Sequence, residues 1–366
     1  MSAYVAVGVG IVAIALYSST DYIATYFTSP VVQALRHLGS SSSFTQSSYY
    51  NVVSALKDST TTTTTLKSTS SDPTSQSSLV ETILRTEQID PADPTFLRML
   101  PRLQKVVRGI VLESTACANF EIIRQLSFDD SNVLHNDLLE SMWNLLCSNE
   151  PPRDSHVSGG RKSKSWSRVG FQGVDPVTDL RGMGLLGLFQ LVHFARTPQS
   201  QHVLAWSRAP QDGPEVKFFP FACAGIQITS LVLTLAREHL LGFVVVQGED
   251  EKVNWSSVNV REESIAMVLG VKVAEQRLKE LLREVRRNGE QGHHQDTNDD
   301  DMVWRSIALL NDVYGEIFML LGEAWKRENP PDVMSYPNIF KSVEANVRAA
   351  LTAEAGVNSF KIRWRC

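Results

Sequence analysis

The chain has 366 residues, 43% of them hydrophobic, so it is long enough to bury a sizeable core in one large or two ordinary domains. Its formal net charge of −5 argues against a nucleic-acid-binding protein, because neutralising phosphates requires a basic face. The four cysteines lie far apart without a CxxC pair, which argues against a zinc site or a disulfide framework and favours a reducing compartment.

The first 27 residues do not have the composition of globular sequence. Residues 1–20 carry no charged side chain, and residues 3–17 are almost wholly apolar, although a bilayer span needs roughly 20 residues. A cleaved signal peptide normally has a basic n-region, which this segment lacks, and the basic residues from Arg36 onward indicate a cytosolic C-terminal part. We predict a membrane anchor over residues 1–27. A cleaved or organellar targeting segment and a buried core helix are the alternatives.

Serine and threonine dominate residues 28–78, with runs at 40–43, 60–65 and 68–71. Because so few apolar side chains cannot repay the entropy of ordering, the composition predicts a disordered linker. The short island at 49–56 is compatible with a transient helix. We interpret the linker as a plain spacer, with a phosphorylatable segment as the alternative.

Helical periodicity predicts an all-α domain over residues 79–352. Its predicted helices cover residues 79–88, 94–118, 119–126, 134–147, 185–195, 222–240, 303–326 and 336–351. The segment 242–247 is predicted to be a short strand or a helix end. An insertion at about 248–302 adds an exposed charged helix and a polar acidic loop, and residues 353–366 form a C-terminal tail.

The acidic loop contains His293, His294 and Asp296, which are residue types that bind metals. Adjacent histidines point in different directions, however, and no second ligand group follows at a productive spacing. We therefore expect a solvated loop, no metal site and no cofactor. Because the chain also lacks a phosphate-cradling GxxxxGK segment, it is not expected to hydrolyse a nucleotide by itself.

The most informative segment covers residues 166–194 and reads WSRVGFQGVDPVTDLRGMGLLGLFQLVHF. Asp175, Pro176, Thr178 and Asp179 supply turn and N-cap chemistry, since proline pre-sets φ and the oxygen of Thr or Asp accepts from the first helical amides. From Leu185 the apolar residues recur at helical spacing. The segment therefore predicts a polar turn that leads directly into a buried helix.

One arginine, Arg181, lies at the junction between this turn and the helix. Gly182, Gly184 and Gly187 follow it, although each lowers helix propensity. Their presence indicates close backbone approach by a neighbouring helix or by a partner. An arginine at this junction, with small residues around it, is placed to reach an anion.

The segment resembles the signature of the ELMO (engulfment and cell motility) domain family, particularly its short branch, the ELMO-domain-containing proteins. The matching residues are Trp166, Gly170, Phe171, Gln172, Pro176, Thr178, Asp179, Arg181, Gly182, Gly184, Leu188, Leu191 and Phe194. The family usually has an aromatic residue where Leu180 stands and a tyrosine where His193 stands, so two positions depart. With similar stretches at 130–146, 224–240, 304–325 and 336–351, the resemblance covers roughly residues 78–352.

This resemblance implies a GTPase-activating protein for Arf-family small GTPases in their GTP-bound form, with Arg181 at the position of the catalytic arginine. Such a protein acts in trans and needs no active site of its own. The residues expected to contact the partner are Gln172, Asp175, Thr178, Asp179, Gly182 and Gly184. The structural alternative is that Arg181 pairs with Asp175, Asp179 or a glutamate of a packed helix and locks the turn.

The other residues of the segment have more ordinary interpretations. Trp166, Phe171 and Phe194 have the spacing of core aromatics, while Gly170 and Gly182 are expected to serve backbone geometry. The basic residues of the preceding loop are interpreted as a solvated face, with lipid phosphates or an acidic GTPase surface as alternatives; they are Arg161, Lys162, Lys164 and Arg168.

Two competing functions are non-catalytic. One is a scaffold for a Dock-type exchange factor, and the other is a membrane adaptor whose ELMO fold only binds a GTPase. The chain lacks an armadillo-like array, a pleckstrin-homology segment and a PxxP tail, which disfavours the scaffold. The departures from the family pattern at Leu180 and His193 leave the adaptor as an alternative. We expect the domain in the cytosol at the surface of an intracellular organelle: the endoplasmic reticulum, the Golgi or the mitochondrion.

Overall fold

The computed structural model describes residues 29–40, 43–58, 74–89, 94–147, 161–207, 219–250 and 297–352. Within these ranges all regular secondary structure is helical, which confirms the predicted all-α class. The helices are α1 (Pro30–Ser40), α2 (Gln46–Asp58), α3 (Thr74–Thr86), α4 (Pro94–Gln125), α5 (Val133–Leu146), α6 (Gly184–Ala195), α7 (Pro198–Ser207), α8 (Phe221–Arg237), α9 (Gly242–Asp250), α10 (Thr297–Glu328) and α11 (Tyr336–Thr352). Short 3₁₀ turns occur at Lys164–Val169, Pro176–Thr178, Leu180–Gly182 and Val333–Ser335.

The chain divides into two compact units, one of residues 1–69 and 73–107 and the other of residues 70–72 and 108–366. In the first unit α1 packs against α2. The Ser29 hydroxyl accepts a hydrogen bond from the Val32 amide at 3.1 Å and caps the start of α1. Arg102 donates to the Leu38 carbonyl at 2.6 Å, which satisfies a carbonyl near the end of the same helix.

The structure differs here from the disordered linker predicted for residues 28–78, because α1 and α2 lie inside that range. Each helix has apolar residues three or four positions apart, and these are fully buried at Val31, Leu35, Tyr49, Val52 and Leu56. The serine- and threonine-rich composition hid this periodicity. The predicted island at 49–56 is part of α2, whereas the threonine run at 60–65 lies outside the described residues.

The second unit is built around α6. Every residue from Leu185 to Ala195 is buried except His193, and α6 packs against α5, α7, α8 and α10. Gly187 faces α8, and a Cβ at this position would lie 3.4 Å from Ile226 Cγ1. The helix is therefore surrounded by other helices, as its near-continuous apolar sequence predicts.

Aromatic rings fill the space between α6, α8 and α10. The Phe318 ring lies with its centroid 4.7 Å from those of Phe194 and Phe221, and Tyr314 packs edge-on against Phe194 at 6.2 Å. All four side chains are buried. Phe194 is therefore a core residue, as predicted, and truncation of such a ring to alanine costs about 3–5 kcal/mol.

Several helix boundaries differ from prediction. Residues 94–125 form one helix rather than two. Asn119 lies inside this helix, and its buried side chain donates to the Thr115 carbonyl at 2.8 Å. The segment that was ambiguous between strand and helix end is α9, whose preceding residue Leu241 donates its amide to Glu113 at 2.7 Å. The last residues of the predicted loop, Asp299–Asp301, belong to the first turns of α10.

Several predictions fall outside the described residues: the anchor at 1–27, the charged helix of the insertion and the tail at 353–366. Among the helices of the described ranges, none has the length and hydropathy required to cross a membrane.

Candidate functional site

The polar turn before α6 is held by short-range caps. Ser163 has an extended backbone, and its hydroxyl accepts from the Ser165 amide at 3.1 Å at the start of the Lys164–Val169 turn. Asp175 caps the next turn by accepting from the Val177 amide at 3.1 Å, with Pro176 in the first position. The predicted turn and cap chemistry is therefore confirmed at Asp175 and Pro176.

The Trp166 side chain packs beneath this turn. Its side chain is fully buried, and its indole N–H donates to the Arg161 carbonyl at 2.7 Å. The ring meets Trp143 and Phe171 edge-on, with centroids 5.2 and 5.6 Å away. Two aromatics of the signature, Trp166 and Phe171, are thus core residues as predicted, and their packing on Trp143 fixes the turn to α5.

Two glycines bring the turn against neighbouring backbone. Gly170 has φ of +87°, and a Cβ there would lie 2.2 Å from the Phe221 nitrogen at the start of α8. Gly184 has φ of +52°, and a Cβ there would lie 2.1 Å from the Arg124 carbonyl oxygen at the end of α4. The adjacent Leu185 amide donates to the Leu126 carbonyl at 3.0 Å. Both positions therefore require glycine for conformation and for space.

Arg161 connects the turn to the loop before α5. It donates from Nε and Nη2 to the two carboxylate oxygens of Asp175, at 2.9 and 2.8 Å, and it also bonds Asp130. The guanidinium lies 5.7 Å from the centroid of the Phe128 ring. The hydrogen bonds that Arg161 donates to Asp175 raise the pKa of the Arg161 guanidinium. Arg161 is therefore a structural cation, and the prediction of a solvated face does not hold for it.

Asp179 holds the other side of the turn. One of its carboxylate oxygens accepts from the Gln172 amide at 2.8 Å and lies 3.8 Å from the Cys223 sulfur in the first turn of α8. Burial, with the negative charge of Asp179 beside it, raises the pKa of the Cys223 thiol to about 12. The thiol is therefore neutral at physiological pH and is not a nucleophile.

Arg181 projects from the turn that these contacts hold. Its side chain is exposed, and its Nε donates to the Thr178 carbonyl at 2.7 Å. Within the part of the chain that the structure describes, no carboxylate lies within ion-pair distance of its guanidinium. Asp175 is paired with Arg161, and Asp179 accepts from the Gln172 amide. The preceding residue, Leu180, is buried and anchors the Arg181 backbone in the core. The arrangement leaves a charged, oriented guanidinium facing solvent.

The predicted partner contacts divide into two groups. Gln172, Thr178 and Gly182 are exposed, and a Cβ at Gly182 would meet nothing within 4 Å. The prediction that Gly182 serves backbone geometry is therefore wrong, since its φ is ordinary and the space around it is open.

The second group is Asp175, Asp179 and Gly184. Contacts within the domain account for the residue type at each of these positions, so no contact with a partner is needed to explain them.

One exposed residue of the turn was not predicted. Val174 is 48% exposed, and its carbonyl accepts from the Ser163 amide at 2.8 Å. The sequence feature that could have indicated its exposure is the position of an apolar side chain within a tight Gly-Val-Asp-Pro turn. The pairing of Arg161 with Asp130 and Asp175 had no local signal, because the partners are 31 and 14 residues away. Among the described residues, no group of histidine, cysteine and acidic side chains could hold a metal ion.

Comparison with known proteins places this turn within a matched domain. A profile of the ELMO/CED-12 family matches residues 118–340. The chain is 30% identical to human ELMO domain-containing protein 2 over 179 residues, which is 48% of this chain and 57% of that protein. It is 33% identical to bovine ELMO domain-containing protein 1 over 182 residues, covering 46% and 53% respectively.

ELMO domain-containing protein B of Dictyostelium discoideum is 36% identical over 137 residues, covering 37% of this chain and 45% of that protein. The chain thus spans about half the length of the curated relatives that it matches. No solved structure matches the chain.

Proposed function

The chain belongs to the ELMO/CED-12 family, and we propose that it is a GTPase-activating protein for an Arf or Arf-like small GTPase, with Arg181 as the arginine finger. The observation that carries the proposal is the state of Arg181: an exposed guanidinium with no carboxylate partner in the described residues, on a turn held from both sides. An arginine that locked the turn through an ion pair would have a carboxylate partner, as Arg161 has.

The chemistry requires little else from the activator. GTP hydrolysis develops negative charge on the phosphate oxygens, and an inserted guanidinium stabilises that charge without reacting. Arginine suits this role because its planar fork donates two hydrogen bonds and keeps its charge when it is desolvated. The attacking water and the group that orients it would belong to the GTPase.

The rigidity of the turn supports catalysis rather than binding alone. A finger stabilises a transition state best when its position is set before the partner arrives. Leu180 is buried directly before Arg181, and the Nε hydrogen bond to the Thr178 carbonyl restricts the side chain. Gln172, Thr178 and Gly182 would meet the partner around the finger, and the open space at Gly182 would allow close approach of its backbone.

The adaptor remains the alternative function. Its support is the departure from the family signature at Leu180, next to the finger. Because the Leu180 side chain is buried, this departure alters the packing beneath Arg181 rather than the chemistry of the exposed surface. On this alternative the protein would bind a GTPase without accelerating hydrolysis.

Membrane attachment through residues 1–27 is part of the proposal. It would hold the domain in the cytosol at an organelle surface and raise its local concentration toward a GTPase on the same membrane. The decisive experiment is single-turnover GTP hydrolysis by a panel of Arf and Arf-like GTPases, with and without the full-length protein. Acceleration that depends on Arg181 supports the activator, and binding without acceleration supports the adaptor.

A further inference from the structure

The turn that carries Arg181 has the opposite charge from the rest of the chain. Residues 161–182 contain five arginines and lysines and two aspartates, whereas the whole protein has a formal net charge of −5. A basic segment on an acidic protein needs an explanation, since no general electrostatic benefit to folding accounts for it.

Both carboxylates of the segment have hydrogen-bond partners within the domain, and Asp175 is paired with a cation. The Asp175 side chain is only 15% exposed and bonds Arg161 through both oxygens. Asp179 accepts from the Gln172 amide and lies beside Cys223. The cations that remain outside these contacts therefore dominate the charge that a partner would meet.

Two of these cations, Lys162 and Lys164, are directed outward by the backbone. Ser163 between them is extended, with φ of −153° and ψ of 142°, and its side chain is buried. Side chains alternate between opposite faces of an extended chain, so the two lysines project away from the core. Both are exposed, and neither has a carboxylate within ion-pair distance in the described ranges.

Hydrogen bonds link the backbone between Lys162 and Lys164 to the turn that carries Arg181. The Ser163 amide donates to the Val174 carbonyl at 2.8 Å, and the Thr178 hydroxyl donates to the Asp175 carbonyl at 2.8 Å. The Thr178 carbonyl then accepts from Arg181. The segment therefore presents the lysines, the half-exposed Val174 side chain and the finger from one connected scaffold.

We propose that Lys162, Lys164 and Val174 form the docking surface for an acidic face of the GTPase that Arg181 serves. This inference rests on the proposed function and adds the chemistry of the partner. An apolar contact with a charged rim is the usual anatomy of a protein interface. Rim charges of one sign mainly accelerate association and select the partner, so the lysines act on encounter and affinity while Arg181 acts on the chemical step.

Charge reversal tests the surface. Full-length wild type, Lys162→Glu and Lys164→Glu are compared with Lys341→Glu, which makes the same charge change at an exposed lysine of α11. Binding is measured to the stimulated GTPase of the panel, loaded with a non-hydrolysable GTP analogue, at low and high salt. We expect each reversal in the turn to weaken binding about tenfold at low salt, mostly through the association rate, with a smaller effect at high salt. Lys341→Glu should bind as the wild type does.

The outcomes separate this proposal from the function on which it rests. Unchanged binding of both turn variants overturns the docking surface, even if Arg181 proves catalytic. Weaker binding of the turn variants to phosphatidylserine vesicles but not to phosphatidylcholine vesicles, with intact GTPase binding, also overturns it and assigns the lysines to anionic lipid. Weakened GTPase binding by the turn variants, together with full stimulation by Arg181→Ala, supports the docking surface while the arginine finger fails.

Discussion

Arg161 and Asp175 form a bidentate ion pair across 14 residues of sequence, with N–O distances of 2.9 and 2.8 Å. Asp175 also caps the short helix from which the Arg181 turn begins. The pair therefore links the start of the segment to the backbone that presents the finger. It also removes Asp175 as a partner for Arg181, so that the structural and the exposed arginine have distinct roles.

Removal of Arg161 should destabilise the domain. Arg161→Ala leaves Asp175 partly buried without its cation, and we expect a loss of about 1–3 kcal/mol, between the values for exposed and fully buried pairs. Urea unfolding measures it, with Lys162→Ala as the exposed control that should change stability by less than about 0.5 kcal/mol. Equal stability of the two variants would show that the pair contributes nothing to the fold.

Removal of the Arg181 guanidinium should affect catalysis far more than folding. Arg181→Ala should lower the stimulated hydrolysis rate by about 10²-fold or more, because the lost contact strengthens only as charge develops on the phosphates. Arg181→Lys should recover little, since lysine lacks the bidentate fork. The melting temperature should hardly change, because the side chain is exposed. A folded variant with wild-type stimulation would falsify the arginine finger.

Two neighbouring glycines should respond in opposite ways to alanine. Gly184→Ala should cost about 2 kcal/mol or more, because its positive φ and the adjacent Arg124 carbonyl leave no room for a Cβ. Gly182→Ala should leave the melting temperature unchanged, because the space around it is open. If the GTPase approaches Gly182, the Gly182→Ala variant should nevertheless need a higher concentration than the wild type for half-maximal stimulation of GTP hydrolysis. Thermal denaturation of the matched pair, followed by titration of the GTPase, distinguishes these effects.

Stability should fall in mild acid because of His135. The ring is buried, its Nδ1 accepts from the Asp129 amide at 2.9 Å, and burial lowers its pKa in the folded protein. Since the folded pKa lies below the unfolded value of about 6.5, the stabilisation is complete above that pH and is lost as pH falls through the folded pKa.

Comparison with His135→Asn isolates this effect, since asparagine keeps an acceptor but does not titrate. The difference in melting temperature between the two proteins should be constant above about pH 6.5, and the advantage of the wild type should shrink below it. An NMR titration of His135 with an ordinary or raised pKa contradicts the prediction.

The segment 1–27 should hold the full-length protein on a membrane. Its uncharged, apolar sequence predicts resistance to carbonate extraction, whereas a variant without residues 1–27 should appear in the supernatant. Equal extraction of the two proteins would exclude an integral anchor. The comparison leaves the helices of the first unit intact, because α1 begins at Pro30.

The sequence by itself determined the features that depend on near neighbours. The spacing of the apolar residues from Leu185 to Phe194 predicted a buried helix, because the helical period can be read from residues only three or four positions apart. The Asp175-Pro176 cap was predictable for the same reason, since its hydrogen bond closes over two residues. Arg181 was recognisable only through the spacing of the signature around it.

The tertiary structure decided which of several similar residues have internal partners. Arg161 is paired with carboxylates and Arg181 is not, although the aspartates Asp175 and Asp179 lie closer in sequence to Arg181, because Arg161 meets Asp130 and Asp175 in space. Gly184 lies against backbone from α4, whereas Gly182 faces open space. Such choices depend on chain segments tens of residues apart, whose approach is set by packing of the whole core rather than by local propensity.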